Sequence, residues 1–371
     1  MTYIITPNHR KKSHQNQDRK DSCFWKQRLL ILARPNHSKG SIMPVDLSTT
    51  YMGYKLRNPV VPSASPLSKH VDNIRKMEDA GASAVVLFSL FEEQIYHDFM
   101  QLVQENKKTS NDYLHSFNYL SELNQSHYNP DAYLEHIRKS KEAVDIPIIA
   151  SLNGSSDNGW LQYAKSIEVA GADGIELNLY HIAADPKKSS AQIEDQFIHV
   201  VRSVKNLKIP VSVKLSTHIT GISHFISRLD EIRIDGIALF NRFYQPDFNL
   251  NSLKVVPNIN LSDSTDLRPA LRWTAILYGQ IQTPIAATGG IHSHEDVIKM
   301  IMAGASVTMV CSALLKNGIG HIADLLRDIE MWMEIQKCDS LNHIRGSMSQ
   351  KSHDDPSAIE RAQYIKALAQ Y

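Results

Sequence analysis

The sequence predicts an α/β fold, a (β/α)8 barrel of the TIM type. Three observations carry this. Eight short apolar runs start near residues 60, 84, 147, 174, 210, 236, 284 and 306, with helix-length segments between them. Three turns leading into such a run share Ala-Gly-Ala: "KMEDAGASAVVLFS" (76–89), "SIEVAGADGIELNL" (166–179) and "KMIMAGASVTMVCS" (299–312). Three further runs begin at a proline: "IPIIASLNG" (146–154), "IPVSVKLST" (209–217) and "TPIAATGGI" (283–291). Strand–helix alternation repeated eight times is the pattern of a closed barrel. A doubly wound open sheet is the competing architecture, but no G-x-G-x-x-G follows any run.

The elements follow in order. "NPVVPSAS" (58–65) supplies the first strand, and "LDEIRIDGIALFN" (229–241) is a looser copy of the Ala-Gly-Ala unit. The runs are almost continuously apolar, as parallel strands buried on both faces must be. Glycine at each Ala-Gly-Ala turn supplies the positive φ that ends a helix cheaply. Two stretches break the spacing, 92–130 after the second strand and 244–266 after the sixth. Both follow strand carboxyl ends, the face where barrels keep their active sites, and both read as lids or substrate loops. The barrel is expected over 43–336 and a helical tail over 337–371, in which "DDPSAIERAQYIKALAQY" (354–371) reads as a capped outer helix. Residues 1–42 lack apolar periodicity and carry nine Lys/Arg against Asp18 and Asp21. They read as disordered, either a transit-like leader or, the favoured reading, an upstream extension with Met43 as the working start.

Composition narrows the function. With 371 residues, 42% of them hydrophobic, the chain can bury one large core or form two ordinary domains. Beyond the basic leader the body is mildly acidic, which argues against nucleic acid as a partner. The cysteines Cys23, Cys311 and Cys338 form no C-x-x-C, so neither a metal site nor an iron–sulfur cluster is expected. Nothing suggests disulfides, which fits a reducing, cytoplasmic setting. No apolar run approaches the ~20 residues of a membrane span.

In a barrel the chemistry sits where strands end. Those ends are Ser63-Ala64-Ser65, Ser89, Asn153-Gly154, Asn178 with Tyr180-His181, Lys214, Asn241-Arg242, Thr288-Gly289-Gly290 and Cys311-Ser312. Paired glycines let backbone N–H groups approach an anion, and Ser312 opens a helix whose N-terminus favours negative charge. Barrels often hold a phosphate after strands seven and eight, so Gly289-Gly290 is read as a phosphate loop in preference to a bare tight turn. Lys214 lies in an apolar strand and needs an anionic partner there; a surface lysine is the blander alternative. Ser293 and Asp296 fit a capping box, which makes His292 and His294 surface neighbours, with a metal pair the weaker reading.

"TTYMGYKLRNPVVPSAS", "IELNL", "VSVKL", "IAATGGI" and "SALLKNG", in this order over roughly residues 45–335, resemble the flavin-dependent dihydroorotate dehydrogenases. The resemblance implies an FMN-binding barrel. Lys214 would sit beside the flavin N1 side. Gly289, Gly290, Cys311 and Ser312 would cradle the phosphate, Ala64 and Ser65 would lie against the ring, and Asn153 would join the cofactor site. Asn178 and Asn241 match two asparagines that hold the planar pyrimidine, dihydroorotate in the family. It also implies a homodimer and an electron-transfer partner.

The chain departs from the family at its substrate loop. Asn178-Leu179-Tyr180-His181-Ile182-Ala183 stands where the family has Asn-x-Ser-Cys-Pro-Asn, so the catalytic base position falls on His181 and an asparagine is replaced by Ala183. Phe88 stands where a family lysine ends strand two. Imidazole has a suitable pKa for a base, whereas a structural or flavin-contacting His181 is the alternative. Dihydroorotate oxidation is therefore the first expectation; a different reduced substrate and a non-catalytic flavin-binding paralogue stand beside it. A tRNA-modifying flavin barrel is disfavoured by the acidic body and the missing loop cysteine.

Overall fold

The computed structural model of the chain describes residues 45–92, 94, 130–154, 160–242, 245–256, 259–357, 359–360 and 363–369. The predicted 1–42 extension and most of the 92–130 insertion lie outside the described residues.

The described chain opens with an antiparallel hairpin, β1 (Thr49–Tyr51) and β2 (Tyr54–Leu56). Six barrel strands follow: β3 (Val60–Pro62), β4 (Val85–Phe91), β5 (Ile148–Gly154), β6 (Gly174–Leu179), β7 (Val211–Leu215) and β8 (Gly236–Leu239). A second antiparallel hairpin, β9 (Asp247–Asn249) and β10 (Lys254–Val256), precedes the last two barrel strands, β11 (Ile285–Thr288) and β12 (Val307–Val310). The eight barrel strands are parallel in the order β3-β12-β11-β8-β7-β6-β5-β4. The two ends of that order are consecutive in sequence. Ser83 closes the seam between them, its N–H and hydroxyl both bonding the Val60 carbonyl at 3.2 and 3.1 Å. Every strand starts within one residue of its expected position.

The surrounding helices are α1 (Val71–Asp79), α2 (Pro130–Ala143), α3 (Trp160–Val169), α4 (Ser190–Val204), α5 (Ile222–Glu231), α6 (Arg268–Leu277), α7 (His294–Ala303), α8 (Ser312–Asn317) and α9 (His321–Gln336). Between α1 and β4, α3 and β6, and α7 and β12 the chain turns at Gly81, Gly171 and Gly304, with φ of 104°, 92° and 122°. An L side chain is strained there, which is why the repeat keeps glycine. Asp173, two residues past Gly171, and Asp235, at the matching place before β8, carry a shared tie. Asp173 accepts from Lys141 of α2 and from the Ile148 N–H at 2.7 Å. Asp235 does the same for Lys205 of α4 and the Val211 N–H. Each carboxylate thus ties a helix to the starts of two adjacent strands.

Strand alternation sorts the side chains. On β6, Ile175, Leu177 and Leu179 join the large core between sheet and helices, while Glu176 and Asn178 point inward. The lower barrel interior is filled by Val61, Val86, Ile149, Ala238, Ala286, Val307 and Met309. The β1–β2 hairpin, a pairing not foreseen from sequence, stops its floor. A Cβ on Gly236 would meet the Tyr51 hydroxyl at 2.6 Å, and one on Gly174 the Met52 Cε at 2.7 Å. Both glycines open their strands, so the floor lies at the end opposite the strand carboxyl ends.

The β4–β5 ladder shifts register between Val86 and Ser89. Tyr133 of α2 repairs the gap. Its hydroxyl accepts from the Ser151 N–H at 2.9 Å and donates to the Ser151 carbonyl at 3.2 Å. The same bulge corrects the reading of Phe88. Its ring faces the helix layer, 5.1 Å from Tyr133 and 5.5 Å from His136, and not the barrel mouth where the family lysine was expected.

The tail is knitted into the barrel floor through α10 (Leu341–Ile344). The Asp46 N–H bonds Asp339, the Leu341 N–H bonds Asp46, and the Arg345 guanidinium bonds the Ala305 carbonyl and Thr49. Among the described residues of the stretch expected as an outer helix, α11 (Gln363–Leu368) is the regular α-helix. It does not pack as expected: Tyr364, Ile365 and Leu368 are exposed. The buried anchors of the tail are Leu341 and Ile344, which lie earlier.

Candidate active site

Barrel register brings the predicted residues to one place. Asn153 on β5 pairs with Asn178 on β6, and Asn178 with Lys214 on β7. All three point inward at the strand carboxyl ends and are buried. The Lys214 ammonium donates to the Ser63 hydroxyl and to Glu176 Oε1, each at 3.2 Å. Lys214 therefore has the anionic partner that its position demanded, two residues before Asn178 on the neighbouring strand. The Cys311 thiol, at the end of β12, is pushed up by burial and pulled back by Lys214, which places it at the same mouth. Asn241, after β8, donates through Nδ2 to Asn178 Oδ1 at 3.1 Å. Ala64 and Ser65 follow β3 at the same end, Ser65 buried and Ala64 packed against the interior core.

The other half of the mouth is backbone. Gly289 and Gly290 follow β11 with φ of 93° and 75°. A Cβ on Gly289 would meet only the Phe240 carbonyl, at 3.8 Å, so the space above it is open. At Gly290 a Cβ would fall 2.2 Å from the Leu267 nitrogen, because the Asp266–Leu267 backbone crosses directly over it. Among the described residues no backbone partner takes the N–H groups of Gly289, Gly290 or Ile291. Cys311 begins α8 without a side-chain cap, so the first-turn N–H groups of that helix are also unspent.

The 244–266 insertion divides into two parts. The β9–β10 hairpin projects outward with Phe248, Leu250, Leu253 and Val255 exposed. The segment from Ile259 on comes back to the mouth, where Ser262 is buried. Its N–H bonds the Ser312 hydroxyl at 3.1 Å, its carbonyl takes Lys316 at 2.8 Å, and its hydroxyl meets His292 Nε2 at 3.1 Å. Ser293 and Asp296 form the expected capping box, and Asp296 also takes the Ser264 hydroxyl at 2.8 Å. His292 is thus a partner of the returning loop and not the surface neighbour expected; burial lowers its pKa. His294 instead lies 3.9 Å from Asp328 on α9. Ser262, Lys316 and Glu176 were not singled out from the sequence, and His292 was placed at the surface. Glu176 had a visible signal, an acid at an inward position of a buried strand. Ser262 had none, since only the return of the insertion brings it home.

His181 follows β6 and meets the helix layer. Its ring packs edge-on against Phe197 of α4, centroids 6.3 Å apart, and Ile182 and Ala183 beyond it are exposed.

The profile of the dihydroorotate dehydrogenase family matches residues 46–333, most of the chain. The chain belongs to the dihydroorotate dehydrogenase family. It is an enzyme of the dihydroorotate dehydrogenase type on the barrel expected of that family. Its relatives are distant. It is 24% identical over 310 residues to the catalytic subunit of dihydroorotate dehydrogenase B (NAD(+)) of Methanothermobacter thermautotrophicus, covering 81% of this chain and 97% of that one. The corresponding Methanocaldococcus jannaschii subunit is 26% identical over 281 residues, covering 73% of this chain and 88% of that one. The NAD-dependent dihydropyrimidine dehydrogenase subunit PreA of Escherichia coli K12 is 24% identical over 323 residues, covering 81% of this chain and 76% of that one. The family match ends near the close of α9, and the interior residues Asn153, Asn178, Lys214, Gly289 and Gly290 all fall within it.

Among the described residues no helix is long and apolar enough to cross a membrane.

Proposed function

We propose that the protein is an FMN-dependent oxidoreductase that removes hydride and proton from a CH–CH bond of a small planar amide-bearing ring, with dihydroorotate as the default substrate. The observation that carries this is the Asn153–Asn178–Lys214 row, bridged over β7 by Asn241. Two joined amides can donate to and accept from the edge of a pyrimidine, and a cation beside them suits a ring that gains negative charge.

The site fits FMN. Gly289, with open space above a left-handed backbone, and the unspent amides of Gly289, Gly290 and the first turn of α8 suit a phosphate. Lys214 would lie at the flavin N1 side, Ala64 and Ser65 against the ring, and Asn153 at its edge. When bound, FMN supplies the hydride acceptor. The protein's part is to hold the substrate by Asn178 and Asn241, and to take the proton on His181, three residues past Asn178. For that role the His181 ring would have to turn from Phe197 toward the mouth. A second reading, a 5,6-dihydropyrimidine lacking the carboxylate, is favoured by the similarity to the dihydropyrimidine dehydrogenase subunit. Relatives named as subunits also support an electron-transfer partner for this chain; the protein itself is proposed to be a cytoplasmic homodimer.

Purified protein is expected to be yellow, and dihydroorotate is expected to bleach it without oxygen. Dihydrouracil bleaching it in preference selects the second reading. A colourless protein that takes up no FMN on titration rejects both. His181→Ala is expected to lower the bleaching rate by about 10²–10⁴-fold, the usual worth of a general base; an unchanged rate makes His181 structural.

A further inference from the structure

Glu176 is fully buried on β6, one inward step below Asn178. Register sets it in a row of small residues, Ser89, Ser151, Ser212 and Gly236, around the barrel axis. Its Oε1 takes the Lys214 ammonium at 3.2 Å, with the two side chains 0% and 7% exposed. Its Oε2 has no hydrogen-bond partner among the described residues. Two of the three Lys214 N–H bonds are spent, on Ser63 and Glu176. Below, the Tyr51 phenol is held neutral, by burial first and then by the Glu176 charge.

A carboxylate placed this deep is costly unless it is doing something that a serine could not. Among the described residues its one ion-pair partner is the lysine that faces the proposed flavin. The pair has a direction: the acid lies toward the barrel floor and the ammonium toward the mouth.

We propose that Glu176 is a positioning residue that fixes the Lys214 ammonium at the barrel axis and sets how much of its positive charge reaches the bound flavin. This rests on the FMN reading given above. A charged Glu176 offsets part of the ammonium's field, and so keeps the flavin harder to reduce than Lys214 alone would make it. Removing that negative charge while keeping the shape leaves Lys214 unopposed and favours the anionic reduced flavin.

The test uses the full chain loaded with FMN and titrated anaerobically against a redox dye. In Glu176→Gln, the ratio of reduced to oxidised flavin at a fixed dye ratio is expected to rise about tenfold, the effect of one partly screened charge at this range. Glu176→Asp, which keeps the charge, is expected to return most of that change. If Glu176→Gln does not fold, Lys214→Met is compared with Lys214→Met/Glu176→Gln. The double variant has no unpaired buried ion, and its flavin is expected to be the easier to reduce. A flavin ratio that does not rise in either comparison overturns the proposal, because a merely structural Glu176 moves thermal stability and leaves the flavin alone. The wild-type spectrum separates the two failures. A yellow wild type with an unmoved ratio rejects the role of Glu176 only. A colourless wild type that binds no FMN rejects the flavin reading and this proposal with it.

Discussion

Asn241 reaches across β7 to Asn178, amide to amide at 3.1 Å, so two strand ends that do not pair are joined over Lys214. The bond fixes the two amides relative to one another, as the proposed substrate contact requires. Asn178→Ala and Asn241→Ala are each expected to lower kcat/KM by about 10- to 100-fold, the worth of one or two buried hydrogen bonds. The double variant should lose less than the product of the two, since each single change also releases its neighbour. Steady-state rates on flavin-matched samples check this; strict multiplicativity would mean that the pair does not act as a unit.

The two adjacent glycines differ in what they tolerate. Gly290→Ala drives a methyl into the Asp266–Leu267 backbone, at 2.2 Å from the Leu267 nitrogen. It is expected to cost about 1–3 kcal/mol of stability and to loosen the loop that Arg242 pins to Asp266 at 2.9 Å. Gly289→Ala meets open space but keeps a φ of 93°, for about 1 kcal/mol. Its larger effect is expected on FMN affinity. Thermal melts beside FMN titrations separate these outcomes.

Tyr133→Phe removes the hydroxyl that serves both backbone groups of Ser151 at the β4 bulge. A buried N–H and carbonyl lose their partner together, so a loss of about 1–3 kcal/mol is expected in urea unfolding. The flavin spectrum of the native protein should not change, because the hydroxyl acts on the helix side of β5.

His136 on α2 hydrogen-bonds the Ser68 carbonyl at 2.8 Å, bracing the turn that follows Ala64-Ser65. Burial lowers its pKa below the ordinary value, with a smaller opposing pull from that carbonyl. The unfolded chain therefore takes up the proton first as pH falls. Stability is complete above about pH 6.5, the unfolded value, and declines as pH drops below it toward the lowered folded value. Urea midpoints measured between about pH 7.5 and 5 should follow this course, and His136→Gln should flatten it.

How much of this was legible depended on the range of the interaction. The eight strands and the Ala-Gly-Ala turns are local patterns, repeated by the chain itself, and Gly81, Gly171 and Gly304 adopt the positive φ that the turns required. Lys214 with an anionic partner followed from burial alone. Glu176 as that partner needed strand register, which no single run encodes. The Tyr51–Gly236 contact, the outward turn of Phe88 at a bulge and the return of Ser262 to Ser312 are all set by three-dimensional closure. The substrate loop was least legible, because a lone imidazole beside an exposed stretch carries no spacing rule.

The plug in the barrel floor has a consequence for biosynthesis. Tyr51 leaves the ribosome about 185 residues before Gly236, the glycine against which it finally rests. At roughly 5–20 residues per second, the nascent chain carries Tyr51, Met52 and Leu56 bare for on the order of 10 to 40 seconds. Those three side chains are apolar surface without cover until β6 and β8, whose opening glycines lie against Met52 and Tyr51, have been made.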